Sequence, residues 1–136
     1  MKNITTYLVE DSAVIRQSLI NTLEELTDVR VIGFAEDEAS AMTWLLAPAN
    51  KPDLVIIDLF LKSGTGMGVL GRMNGQAHES TLVVLTNYAT TEMRQRCFTL
   101  GATQVFDKSN DIEALILYCS RFSQGEYHPS TVPFSQ

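Results

Sequence analysis

Three observations predict an α/β fold with an open parallel sheet and helices on both faces. Apolar runs of strand length alternate five times with segments of helical spacing. The 136 residues suit one domain, and 45% hydrophobic with 19% charged residues suits a globular chain with a sizeable core. The strand runs are residues 4–9, 29–34, 54–59, 82–85 and 104–106. After the first, Ile15, Leu19, Leu23 and Leu26 recur on one helical face, entered through Asp11-Ser12 as an N-cap. After the second come Ala41, Met42 and Leu45, with Pro48 as the stop. The third helical segment, residues 67–73, is weakened by Gly68 and Gly71. The fourth carries Met93, Cys97 and Leu100 and closes at Gly101. In the last, Ile112, Leu115, Ile116, Cys119 and Phe122 form one stripe. Beyond about residue 124 the pattern stops, so the expected organisation is one domain over 1–123 and a short tail over 124–136. Right-handed crossovers leave few topologies, and for five strands the flavodoxin-like order 2-1-3-4-5 is the expected one.

Composition narrows the function. A net charge of −6 and a pI near 4.8 argue against a nucleic-acid-binding surface as the main feature. Cys97 and Cys119 lie far apart in apolar helical patterns without metal or redox spacing, and read as reduced core residues. The run Tyr7 to Val9 is too short for a signal sequence, and no segment approaches the roughly 20 apolar residues of a membrane helix. The expected setting is cytoplasmic.

One residue is out of place. In "PDLVIIDLFLKSGTG" Asp58 interrupts buried-strand material, where a carboxylate is costly unless its charge is compensated. In open α/β sheets ligands bind beyond the carboxyl ends of the strands, at the switch point. Strand 1 is followed there by Glu10-Asp11, strand 3 by Asp58, strand 4 ends in Thr86, and strand 5 is followed by Lys108. Each has an ordinary reading alone: a helix-capping acid pair, a structural aspartate, a β-branched strand residue, a surface lysine. Together they form a chemical set. Three converging carboxylates repel unless a cation enters. Oxygen ligands without His or Cys favour Mg²⁺, which pairs with phosphate. A lysine and a hydroxyl suit the phosphoryl oxygens, and Asp58 then serves as a nucleophile that accepts phosphate.

Across residues 4–123, "YLVEDSAVIRQSL", "PDLVIIDLFLKSGTG", "LVVLTNYA" and "GATQVFDKS" resemble the receiver domain of two-component response regulators. The resemblance implies that Asp58 is the phosphoacceptor, Asp11 a direct Mg²⁺ ligand, Glu10 a ligand through water, and the Phe60 carbonyl the third protein ligand. It implies Thr86 as the switch hydroxyl and Lys108 as the partner of the phosphoryl group. The donor would be a phosphohistidine on a sensor histidine kinase or a histidine phosphotransfer protein. A receiver catalyses its own phosphorylation and dephosphorylation without turning over an external substrate. A downstream target and a second copy of the chain are the remaining candidate partners, without nucleic acid or membrane.

Three positions depart from the family pattern. Val105 stands where an aromatic switch residue is usual, with Phe106 next to it; Ser109 replaces a proline; Asn87 replaces a small residue. The rivals are weaker. An aspartyl-nucleophile phosphatase wants an acid at position 60, where Phe60 stands, and a flavodoxin wants a phosphate loop where "VEDSAVIRQ" offers acids. A degenerate receiver acting only as a binding module is the third alternative.

Overall fold

The computed structural model describes residues 3–123. All five apolar runs become strands: β1 (Ile4–Val9), β2 (Val29–Ala35), β3 (Leu54–Ile57), β4 (Thr81–Thr86) and β5 (Gln104–Asp107). They alternate with α1 (Ala13–Leu26), α2 (Glu38–Leu45), α3 (Gly66–Asn74), α4 (Thr91–Thr99) and α5 (Ile112–Ser123). The sheet is parallel throughout, in the order β2-β1-β3-β4-β5. The tail expected over 124–136 lies outside the described residues.

Because helices cover both faces, β3 and β4 are buried at every position. Alternation divides their side chains between two cores. Val55 and Ile57 join Ala41, Met42, Val69, Leu70 and Cys97 beneath α2, α3 and α4. Leu54 and Ile56 join Leu19, Leu23, Leu115, Tyr118 and Cys119 beneath α1 and α5. Both cysteines are free and buried, and burial pushes the Cys119 thiol up to about 12. Such thiols do not ionise near neutral pH, in keeping with a core role.

Two helices differ instructively from the periodicity. In α1 the buried residues are Arg16, Leu19 and Leu23, whereas Ile15 and Leu26 are 38% and 57% exposed. The buried stripe is rotated towards Arg16, whose stem covers core while its guanidinium finds polar partners. In α3 two of the three glycines mark close approach, whereas a Cβ at Gly71 would meet open space. A Cβ at Gly66 would run into the Asp58 backbone carbonyl, and one at Gly68 into the Glu38 carboxylate. Packing overrides the helix-weakening tendency of glycine there.

Register sets the functional edge. Val9, Ile57, Val84 and Val105 form one row across the four strands from β1 to β5. Glu10 and Asp58 follow that row by one residue, Thr86 by two and Lys108 by three. The four groups therefore leave the sheet at its carboxyl edge, where β1 and β3 diverge to crossovers on opposite faces.

Candidate functional site

Asp58 is the first residue beyond β3, anchored by its N–H donating to the Val9 carbonyl at 2.9 Å. Its side chain is buried, with Oδ1 accepting from the Phe60 N–H at 3.3 Å. Glu10 is held alike, its N–H donating to Ala35 O at 2.9 Å and its Oε2 accepting from the Ser12 N–H at 3.0 Å. Asp11 is half-buried beside them. Glu10, Asp11 and Asp58 bring carboxylate oxygens within 4.8 Å of one another.

Sequence reasoning leaves this repulsion to an incoming cation. The structure adds a resident one: Lys108 Nζ donates to Glu10 Oε1 at 2.8 Å and to Asp58 Oδ2 at 3.0 Å. All three side chains are about nine-tenths buried, so water screens these pairs weakly. Burial pushes the Glu10 carboxyl above its ordinary range, against the hydrogen bonds from Lys108 and Ser12, and the Asp58 charge adds to the rise. Burial works to lower the Lys108 ammonium, but its two carboxylate partners outweigh it and hold the ammonium up.

The other half of the site is arranged differently. Thr86 is fully buried at the end of β4, and its carbonyl accepts from the Lys108 N–H at 2.9 Å. Its hydroxyl accepts from the Tyr88 N–H at 3.2 Å, within its own loop. Phe60 and Tyr88 are 49% and 57% exposed, and their rings meet edge to face with centroids 4.7 Å apart. The Val105 side chain belongs to the core under α4, whereas Phe106 faces α5 and meets Tyr118 edge to face at 5.8 Å. Adjacent strand residues point to opposite faces, so Phe106 cannot stand in for an aromatic at 105.

Sequence reading missed the residues that brace this edge. Arg16 donates to the Glu10 carbonyl at 2.9 Å, pairs with Glu36 at 3.2 Å and lies 3.9 Å from the Phe34 ring centroid. Glu36 also pairs with Lys62 at 2.9 Å, and Glu38 accepts from the Thr65 N–H at 3.0 Å. These contacts clamp the loop between β3 and α3, which carries Phe60. The available signal was Arg16 itself, a charge three and seven residues before Leu19 and Leu23.

The donor set fits Mg²⁺: three carboxylates within one ion's reach, all hard oxygens, with His and Cys absent from the cluster. The Lys108 ammonium is bonded to two of the three carboxylates, and Thr86 ends the neighbouring strand β4.

Comparison with known proteins agrees. The model of the response regulator receiver domain matches residues 6–119. The chain is 31% identical over 121 residues to the transcriptional regulatory protein PdtaR of Mycobacterium tuberculosis, covering 86% of this chain and 57% of the relative. It is 27% identical over 100 residues to the DNA-binding transcriptional activator DevR/DosR of the same organism, covering 74% and 45%. The chain thus spans about half the length of these relatives. Among solved structures, the receiver domain of the Francisella response regulator 1452 superposes with a TM-score of 0.80 at 19% identity, covering 92% of this chain and all of that one. The response regulator domain of Thermotoga maritima CheB gives 0.76 at 17%, covering 97% and 100%.

Proposed function

The chain belongs to the response regulator receiver family of two-component signalling, and from that premise we propose that Asp58 accepts the phosphoryl group. Residues 1–123 form the receiver unit in this reading, with 124–136 as a tail. The supporting observation is the convergence of three carboxylates at the sheet's switch point, two of them bridged by Lys108.

In the proposed reaction an Asp58 carboxylate oxygen forms a bond to phosphorus as the P–N bond to a donor histidine breaks. The donor is a sensor histidine kinase or a histidine phosphotransfer protein. Glu10, Asp11, Asp58 and the Phe60 carbonyl would hold Mg²⁺, which when bound supplies charge neutralisation for the transferring group. Lys108, already on Asp58, is placed to pair with the phosphoryl oxygens. The Thr86 hydroxyl is free to leave the Tyr88 N–H and turn towards them. That turn is the conformational step by which a downstream target would read the state, and its consequences for the loop are local at first.

Incubation with Mg²⁺ and a small phosphodonor, or with a phosphorylated kinase, is expected to add one acid-stable, base-labile phosphate. Intact mass measures it. Asp58→Asn should abolish it with the fold retained; equal labelling of that variant would end the assignment.

A further inference from the structure

Arg94, on α4, makes contacts that neither the acid cluster nor the core requires. Its Nε donates to the Ala89 carbonyl at 3.0 Å and one terminal nitrogen to the Val105 carbonyl at 2.7 Å. The other terminal nitrogen meets Asp111 Oδ2 at 3.4 Å. One guanidinium thus joins the loop after β4, the strand β5 and the turn that opens α5. Only a planar fork of five donors reaches three such acceptors together.

Both arms of the site end on these acceptors. From Thr86, the hydroxyl holds the Tyr88 N–H, and the next residue, Ala89, supplies the carbonyl that Arg94 takes. From Lys108, the preceding residue Asp107 donates its N–H to Asp111 Oδ2 at 2.9 Å, the oxygen that faces Arg94. The Asp111 N–H returns to the Asp107 carbonyl at 2.8 Å, which fixes the turn carrying Lys108. The circuit runs from Asp58 through Lys108 and its turn to Asp111, then through Arg94 to Ala89 and Thr86.

We propose that Arg94 is a positioning residue that couples the two arms, carrying the movement of the Thr86 loop to β5 and the start of α5. When the Thr86 hydroxyl turns away from Tyr88, the Ala89 carbonyl loses its fixed place, and Arg94 must re-form or give up that bond. Its other two bonds then pass the change to Val105 and Asp111. This rests on the phosphoacceptor reading of Asp58. Val105, an aliphatic packed in the core, has no ring or polar group to take that task.

The test uses the full chain with Mg²⁺ and beryllofluoride as the phosphoryl-mimicking probe, read by amide hydrogen exchange. Residues 58–62 report occupation, and residues 112–116, at the start of α5 and beyond Lys108, report transmission. Arg94→Met is expected to reduce the 112–116 response to below about half while leaving that at 58–62 intact, and Thr86→Ala to reduce the 112–116 response relative to its own response at 58–62. The double variant should be no worse than either single, because both lie on one route. Should Arg94→Met fold poorly, Arg94→Lys keeps a charge near Asp111 but loses the fork, and the same result is expected. An undiminished 112–116 response in the Arg94 variants, or additive losses in the double variant, overturns the coupling. A wild-type protein whose residues 58–62 respond no more than those of Asp58→Asn overturns the phosphoacceptor reading itself, and the two failures are told apart by that peptide.

Discussion

The two halves of the carboxyl edge are built to opposite rules. On the side of β1, β3 and β5, Glu10, Asp58 and Lys108 are buried and hydrogen-bonded to one another. On the side of β4, the Thr86 hydroxyl bonds its own loop, and Tyr88 stands half-exposed. The first half is pre-organised: its charges are placed before any ligand arrives, so little reorganisation is left for the reaction. The second is poised to move, because its polar contacts are local and few. A switch needs both, one part that fixes where chemistry happens and one whose position depends on whether it has happened.

The sharpest way to break the contrast is to remove the cation from the fixed half. Lys108→Ala leaves Glu10 and Asp58 buried without their partner, and a loss of about 3–5 kcal/mol is expected in metal-free urea unfolding. Mg²⁺ should return part of it by binding only the folded state. A loss under about 1 kcal/mol would place the site in the weakly coupled, surface class.

Away from the three paired charges the expected costs are smaller. Val105→Ala removes two buried methyl groups, about 1.6 kcal/mol at roughly 0.8 per group, with signalling otherwise preserved. Thr86→Ala should keep phosphorylation and lose partner binding. Were Val105→Ala to abolish the response with phosphorylation and stability unaltered, the division of labour would be refuted.

A third test addresses the rings. Phe60 and Tyr88 follow Asp58 and Thr86 by two residues and meet each other edge to face. If that pair borders the line of water attack on phosphorylated Asp58, it offers no carboxylate or amide to orient the water. Slow self-dephosphorylation is therefore expected. Phe60→Asn with Tyr88→Glu should accelerate it about tenfold, equivalent to roughly 1.4 kcal/mol of barrier. The measurement is decay of the phosphoprotein in Mg²⁺ after donor removal, and an unchanged rate sinks the idea.

The smallest effect concerns Asp11. Lys108 bonds Glu10 and Asp58, so Asp11 adds a third negative charge to a pair already compensated. Asp11→Ala should raise the metal-free melting temperature slightly by removing that third charge, and should remove the Mg²⁺ effect on melting. A lower metal-free melting temperature would make Asp11 structural.

Much of this was legible in the sequence because it is periodic or local. The strands announced themselves as apolar runs, and Asp58 as a charge that broke one. Thr86 and Lys108 followed once the strands were numbered. The fold order followed from the same alternation, and the family from the resemblance of the four stretches that carry these residues. What was not legible depends on residues far apart in the chain. Lys108 meets Glu10 across 98 positions, and no local pattern reports that pair. Glu38 meets Thr65 across 27, and Gly68, which looks like a helix breaker in α3, lets the Glu38 carboxylate come close, as Gly66 does the Asp58 carbonyl. Arg16 was passed over because a charge beside an apolar stripe ordinarily faces solvent. Arg94 was passed over for the same reason, since a sequence gives no sign that three carbonyl and carboxylate oxygens wait for one side chain.

The Phe60–Tyr88 ring pair also bears on time. A receiver whose acyl phosphate is sheltered from water keeps its state after its donor falls silent. Brief, closely spaced inputs then merge into one sustained output, while a protein with a polar side chain at either ring's place would follow each pulse. Two hydrophobic rings in edge-to-face contact would set the interval over which this chain averages its environment, and a single codon at position 60 or 88 would shorten its memory.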